Sequence, residues 1–290
     1  MEILVKISKE KYILIYIMNY IKRIKGCKKF LYKGAVKEDL ERIVSLKIPP
    51  NWVNVKIDKS PKSKIQATGY DSKGRKQYIY SKDFVERNKK LKFNKMNSFD
   101  YSKYSRVIKH YIARDDSSRE CIIANLIKLM EELNLRVGND AYRKENGSFG
   151  LTTLLKKHYK NGNLKFIGKK GVVHNKTIIN PLIIRFVEKM LNFKGENLFQ
   201  FGDNTKIDSS DLNLFLKEKV QSNITCKDIR TYCANKIFKN FMNSCKKGTT
   251  EDEKNKNISE AIKHTASELG NTPKVCKESY LCPKIINNYR

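Results

Sequence analysis

The chain is 290 residues long, 40% hydrophobic and 10% aromatic, and its 60 Lys+Arg against 30 Asp+Glu give a formal net charge of +30. That apolar content supports a buried core and excludes general disorder, and the length allows one large domain or two smaller ones. So large an excess of cations repels itself in a compact fold and is matched to a polyanion, usually nucleic acid; a lysine-rich solvated surface is the competing explanation. Seven cysteines form no CxxC pair and no Cys/His zinc spacing, which reads as reduced thiols in an intracellular, reducing compartment. No apolar run reaches the ~18–20 residues that span a bilayer, so no membrane partner is expected. Residues 12–18 (YILIYIM) are too few and lack a cleavage site after them, and read as a buried strand or as sequence upstream of a start at Met18.

In chain order, residues 1–30 carry no assignable role. Residues 40–50 (LERIVSLKIPP) predict a short helix stopped by paired prolines. From Trp52 the period becomes two, with Val53, Val55 and Ile57 alternating with polar residues, and residues 64–70 continue the strand reading. Residues 71–74 (DSKG) form a hairpin turn and 75–80 (RKQYIY) the returning strand. Tyr78, Tyr80 and Lys76 then share one face, close to Lys73 and Arg75; such a face can contact phosphates and base edges, or be ordinary edge-strand packing beside solvated lysines. Residues 84–105 are dominated by basic and polar side chains and are expected to contain the hinge between two modules. Ser117 or Ser118 caps a helix that buries Ile122, Ile123, Leu126, Ile127, Met130 and Leu133 and ends near Asn134. Residues 161–163 turn, 164–167 and 172–174 pair, and the tight turn between them carries Lys169 and Lys170. Helices are predicted over 181–191, 210–220 and 228–243, and residues 251–257 (EDEKNKN) read as a charged connector.

Residues 262–280 (IKHTASELGNTPKVCKESY) predict a helix, a tight break and a second helix. Ala261, Ile262, Thr265 and Leu269 form the first helix's apolar side, Gly270 suits a left-handed cap, Thr272 an N-cap and Pro273 the first helical position. A helix start can hold a phosphate. Tyr280, two turns into the second helix, is thereby a candidate nucleophile toward a phosphodiester. Taken together the candidates are Arg136, Lys169, Arg230, Asn271 and Tyr280; Lys170 is an alternative to Lys169.

Five blocks in this order resemble the type IB DNA topoisomerases, particularly the compact poxvirus type: DSKGRKQYIY (71–80), RVGNDAYRKENGSFGLTTLLKKH (136–158), KFIGKKGV (165–172), KDIRTYCAN (227–235) and GNTP…SY (270–280). The resemblance covers roughly residues 30–285. It implies an α+β chain: a β-rich, DNA-clamping N-terminal domain over residues 1–88 and a mainly helical catalytic domain over 89–290, with a short β-hairpin carrying the lysine. It implies that Tyr280 attacks a backbone phosphodiester of duplex DNA, giving a 3′-phosphotyrosyl link and a free 5′-hydroxyl, and that religation follows without ATP, cofactor or metal. Arg136 and Arg230 would answer charge on the non-bridging oxygens, and Lys169 would protonate the leaving oxygen. Arg75, Tyr78, Tyr80, Tyr142, Lys157 and Lys227 would contact DNA, the protein acting as a monomer clamped on the duplex, in virion and host-cell cytoplasm.

Two departures stand out. Asn271 replaces the histidine that the family carries nine residues before the tyrosine; its amide also donates but is shorter and never charged. The chain ends ten residues after Tyr280, where the family continues with a further helical segment, and looser docking of the tyrosine helix is expected. Asn139 and Ala141 stand where the poxvirus type has lysines, which weakens its pyrimidine-rich site preference here. A tyrosine recombinase shares the Arg–Lys–Arg–Tyr logic, but usually has histidine where this chain has Lys227 and a helical N-terminal module. A catalytically decayed DNA-binding relative is the other alternative; the joint presence of Arg136, Lys169, Arg230 and Tyr280 argues against it.

Overall fold

A computed structural model describes residues 2–8, 11–16, 20–25, 30–246 and 248–290. The chain divides into two compact units, Met1–Asn94 and Lys95–Arg290. In the first, β1 (Glu2–Ser8) and β2 (Lys11–Tyr16) pair antiparallel. The run at residues 12–18 is thus strand as far as Tyr16; its burial, its last two residues and Cys27 lie outside the described residues. There follow β3 (Tyr20–Lys25), β4 (Phe30–Lys33), α1 (Lys37–Ser45), β5 (Val53–Asp58), β6 (Ile65–Tyr70) and β7 (Lys76–Tyr80), which form a five-stranded sheet in the order β4-β3-β5-β6-β7. One face is apolar: Ile21, Val55, Ile57 and Ala67 pack with Ile43 of α1. Helix α1 ends before the paired prolines in a turn with Lys47 at φ 49°, and the buried Arg23 holds the segment that follows by donating to the carbonyls of Ile48, Pro49 and Trp52.

The opposite face follows from the register. Lys33 pairs with Lys22, Lys22 with Lys56, Lys56 with Thr68 and Thr68 with Tyr78, so one row of side chains runs across all five strands on the face away from the core. The period-two pattern read at residues 53–57 therefore separates a core face from a basic, tyrosine-bearing one. Val53 is the exception, at 58% exposed, where Asn54 takes a positive φ of 51° and the ladder shifts.

Residues 84–105 are more ordered than their composition predicts. Helix α2 (Lys82–Asn97) and α3 (Tyr101–Ala113) fill the stretch, broken only where Asp100 caps the second by accepting from the Lys103 N–H at 2.9 Å. Lys, Arg and Glu are good helix formers, and no Gly or Pro interrupts them. Helix α4 (Arg119–Leu133) starts at Ser118 and ends at Asn134 in a left-handed conformation, φ 54°. It buries Cys121 through Leu133 almost all round and forms the centre of the second unit's core.

Helix α5 (Asp140–Asn146) is followed by two single 3₁₀ turns and by a three-stranded sheet, order β10-β9-β8, of β8 (Tyr159–Lys160), β9 (Asn163–Ile167) and β10 (Val173–Thr177). Lys169 and Lys170 occupy the turn between β9 and β10. Then come α6 (Pro181–Leu191), α7 (Ser209–Phe215) closing in a π turn over Leu216–Val220, α8 (Cys226–Ser244), α9 (Glu251–Leu269), α10 (Pro273–Ser279) and α11 (Pro283–Asn287).

Two expectations near the end are corrected. Residues 251–257 are no connector but the first turns of α9, started by a capping box in which Thr250 accepts from the Glu253 N–H at 3.2 Å. Three acidic residues in that turn also complement the helix dipole. Tyr280 lies not inside α10 but at its C-cap, φ −127° and ψ −36°, because Pro283 disfavours helical backbone at Cys282 and the helix must end before it. Beyond Tyr280 the chain is anchored rather than loose. Leu281 and Ile286 are buried in the α8–α9 core, and the Asn235 amide donates to the Tyr280 carbonyl (2.8 Å) and accepts from the Cys282 N–H (2.9 Å).

Replacing Thr250 with Ala removes the cap of α9 and should lower stability by about 1 kcal/mol in urea unfolding. An unchanged midpoint would mean that α9 does not depend on this start.

Candidate active site and nucleic-acid interface

Three helix ends meet in the second unit. Arg230, in the second turn of α8, is 5% exposed, and its two terminal nitrogens donate to the Asn134 carbonyl at the end of α4 and the Leu269 carbonyl at the end of α9. Both acceptors are carbonyls that a helix terminus leaves unpaired. The start of α8 is held by Asp228, which accepts from the Thr225 N–H at 3.0 Å and pairs with Lys95, and by Tyr232 stacked on Tyr101 at 4.7 Å.

Arg136 follows α4 by one short step. Its backbone carbonyl accepts from the Leu151 N–H (2.8 Å) and that of Val137 from Thr152 (2.7 Å), so the 3₁₀ turn at residues 151–153 holds the strand-like segment bearing the arginine. A Cβ on Gly150 would lie 2.5 Å from the Gly138 Cα, which is why this crossing needs glycine. The Arg136 guanidinium donates to the Gly270 carbonyl and to Asn271 Oδ1. That bond fixes the amide orientation, since only the oxygen can accept. Asn271 itself is held by a return bond from its N–H to the Ala266 carbonyl at 2.8 Å, closing the end of α9.

Arg136, Asn271 and Tyr280 line a cleft of about 730 Å³ with Lys169, Lys170, His174 and Lys176. The ring of Tyr280 has its centroid 5.7 Å from the Arg230 guanidinium carbon. Burial pushes the Tyr280 phenol up, but the charge of Arg230 and a hydrogen bond from it, with the charges of Arg136 and Lys227, outweigh burial and leave it below the ordinary value of 10.0. Burial, and then Arg136, draws the Arg230 pKa down. Two buried donors in this group, Arg230 Nε and Asn271 Nδ2, have no acceptor among the described residues. Donors of this kind in a cationic cleft are matched to an anion.

The sequence-selected residues are thus partly brought together. Arg136, Lys169, Asn271 and Tyr280 share the cleft, with Arg230 beneath. The Lys169 ammonium also lies 5.8 Å from the ring of Tyr142, which is 49% exposed. Lys170, at φ 65°, is in the cleft as well. Lys227, chosen as a DNA contact, is exposed at the start of α8 and acts on Tyr280 through its charge. Lys157 is exposed on the 3₁₀ turn at residues 156–158 and does not line the cleft. In the first unit Tyr78 and Tyr80 are 44% and 40% exposed and stacked at 6.2 Å, with the Lys76 ammonium 5.6 Å from the Tyr78 ring. Arg75 is paired with Asp71 at 2.8 Å across the hairpin turn.

Sequence reasoning missed two things. Lys22, Lys33 and Lys56 share the Tyr78 face, with the Lys56 ammonium 4.6 Å from the Tyr20 ring; only the strand register reveals them. His174 reads as an ordinary strand residue, and nothing in the sequence marks its burial against two glycines.

A family model described as the catalytic core of eukaryotic DNA topoisomerase I matches residues 80–289. The chain belongs to the type IB DNA topoisomerases. A second model, the N-terminal domain of bacterial DNA topoisomerase IB, matches residues 34–71. DNA topoisomerase 1B of Acanthamoeba polyphaga mimivirus is 34% identical, covering 95% of this chain and 89% of that protein. DNA topoisomerase 1 of rabbit fibroma virus is 31% identical over 77% of this chain and 72% of that one. Vaccinia virus DNA topoisomerase 1B is 29% identical, covering 75% and 70%. This type IB topoisomerase is an isomerase whose substrate is DNA, and the recombinase and decayed-relative alternatives give way to that assignment.

In this topoisomerase the Tyr280 phenol should titrate below 10.0. Ultraviolet difference titration of the protein against its Tyr280→Phe variant isolates that group. A difference component with its midpoint above 10.0 would show that burial outweighs the cations.

Proposed function

We infer that the protein relaxes supercoiled duplex DNA by transient cleavage of one strand, with Tyr280 as nucleophile. The observation that carries this is the approach of Arg230 and Arg136 to a half-buried tyrosine whose pocket retains two unpartnered buried donors. The Tyr280 oxygen attacks phosphorus, the 5′ oxygen leaves, and a 3′-phosphotyrosyl ester remains. The Tyr280 proton passes to solvent or to a group at the cleft mouth, eased by the depressed phenol pKa. Arg136, Asn271 Nδ2 and the remaining donors of Arg230 hold the non-bridging oxygens as charge builds there. Lys169 gives its proton to the leaving 5′ oxygen, worth roughly 10²–10⁴ in rate because an alkoxide leaves poorly. The cut strand turns about its partner, and the 5′-hydroxyl then attacks the tyrosyl ester, returning the proton to Lys169. The ester conserves the phosphodiester energy, so no ATP is consumed. The cleft's charge is supplied by side-chain cations, and its one carboxylate, Glu268, is paired with Lys176 at 3.3 Å; the chemistry proceeds without a metal.

The face bearing Lys22, Lys56, Tyr78 and Tyr80 engages duplex DNA, its lysines neutralising phosphates and its exposed tyrosines resting on sugar or base edges. Tyr142, Lys157, Arg75 and Lys227 extend those contacts. The enzyme acts as a monomer on one duplex, inside the cell or virion; viral relatives and the unpaired thiols of the described cysteines support this setting.

Plasmid relaxation in EDTA without ATP tests the reading, with supercoils of both signs expected to be removed. A requirement for magnesium, or binding that never changes linking number, would sink it. Tyr280→Phe should abolish the covalent adduct and leave DNA affinity nearly intact; an adduct surviving in that variant would move the nucleophile, with Tyr289 the first to examine. Asn271→His should keep or raise the cleavage rate, whereas a collapse would show that Asn271 is not the equivalent of the family's histidine. Affinity should fall steeply with added salt, as counterion release requires.

A further inference from the structure

His174 is buried to 7% exposure on β10, opposite Phe166 of β9, with the two rings stacked at 4.9 Å and 18°. Its ring meets bare backbone at two further places. A Cβ on Gly168 would lie 2.7 Å from His174 Cδ2 and Nε2, and a Cβ on Gly270 would lie 2.7 Å from His174 Cε1. Gly168 immediately precedes Lys169, and Gly270 immediately precedes Asn271. One ring therefore touches the backbone joint before each of two residues in the cleft. Two positions along the same strand, the Lys176 ammonium donates to the Glu268 carbonyl at 3.2 Å and to its carboxylate at 3.3 Å, a second tie between β10 and the end of α9.

We propose that His174 is a positioning residue: seated against Gly168 and Gly270 together, its ring sets the spacing between the Lys169 turn and segment 270–280. The chemistry of the site suits it. Burial, reinforced by Arg136, Lys176 and Arg230, holds the imidazole down at about 4, so near neutrality it adds no charge among the cations. The side chain's contacts are the stacked Phe166 ring and the two glycines, so it acts through shape. Asn271 has independent anchors in Arg136 and the Ala266 carbonyl, whereas the bonds that close the exposed Lys169 turn, from the Gly168 N–H to the Val172 carbonyl (2.7 Å) and from the Gly171 N–H to the Gly168 carbonyl (3.1 Å), stay within the hairpin, and its glycine backbone bears on the ring. Loss of the ring therefore falls on Lys169.

The proposal rests on the proposed role of the cleft, and its test separates the two. Single-turnover cleavage is measured with an ordinary duplex and with one carrying sulfur as the bridging 5′ atom. In both, a tyrosine oxygen–phosphorus bond forms; with sulfur the phosphorus–sulfur bond breaks and a thiolate leaves without needing Lys169's proton. His174→Ala should cleave the ordinary duplex about 30–100-fold more slowly, the scale of an ångström-level misplacement, while His174→Phe stays within about threefold of the parent. The alanine variant should recover most of its loss on the sulfur substrate, with DNA affinity unchanged. An unimpaired alanine variant, an equal loss on both substrates, or a phenylalanine variant as slow as the alanine one would overturn the proposal. A parent protein that forms no adduct on either substrate would instead refute the reading of the cleft.

Discussion

The arrangement depends on burying one cation, Arg230, against the ends of two helices. Removing a guanidinium from water costs several kcal/mol unless its donors are met. Here the negative ends of α4 and α9 meet them, each through a carbonyl that would otherwise be an orphan. Asn134 stands two residues before Arg136, and Leu269 two before Asn271. The same two bonds that accommodate Arg230 therefore fix the chain just upstream of Arg136 and Asn271, which line the cleft. A lysine could not do this. It offers a single point charge where two carbonyls from different helices must be reached at once.

What remains of the site follows from crowding positive charge. Burial, and then the charge of Arg136, lower the preference of Arg230 for the charged state, and Lys169, Lys170 and Lys176 share the cleft. Mutual repulsion is tolerable because the cleft is built for an anion, and because the groups packed between the cations are neutral. Asn271 is one such group and His174 another. Asn271 uses its oxygen for Arg136 and keeps its nitrogen inward and unpartnered. A neutral histidine at the same position would have to accept from Arg136 at one ring nitrogen and offer its N–H from the other. The amide is shorter than an imidazole, and it meets the arginine with its oxygen while its buried nitrogen keeps no acceptor among the described residues.

Much of this was legible in the sequence, and the failures have physical causes. Helices α4 and α6 and the β9–β10 hairpin were readable because apolar period, cap and turn residue agree. Ser118 and Asn134 bound α4 as their residue types require. The hinge expected within residues 84–105 coincides with the division of the two units inside α2, whereas residues 251–257 read as a connector on polarity alone, yet Lys and Glu form helix readily once a cap starts them. The start of α10 at Pro273 is plain in the sequence, but its end at Tyr280 depends on Pro283, which starts the next helix. The catalytic candidates were legible as motifs, but Arg230's attachment to two helix ends was not, because it joins residues 96 and 39 positions apart. His174 was invisible for the same reason: its partners are glycines, which announce turns and not contacts.

The DNA-facing surfaces illustrate how position decides what a charge or a tyrosine can contribute. A net charge of +30 says only that a polyanion is bound. Register turns part of it into a row, with Lys33, Lys22 and Lys56 leading to Tyr78 at the open edge of the sheet. Such a row can follow a phosphate backbone without reading bases. At the second tyrosine, Tyr142, the neighbouring Asn139 is occupied as a helix cap, its side chain accepting from the Ala141 N–H at 2.8 Å. A lysine there would lose that cap, whereas the asparagine keeps its amide nitrogen to donate while its oxygen serves as one. The side-chain oxygen that starts α5 is thereby committed to the backbone, and the cation beside the exposed Tyr142 ring is Lys169, from the neighbouring turn.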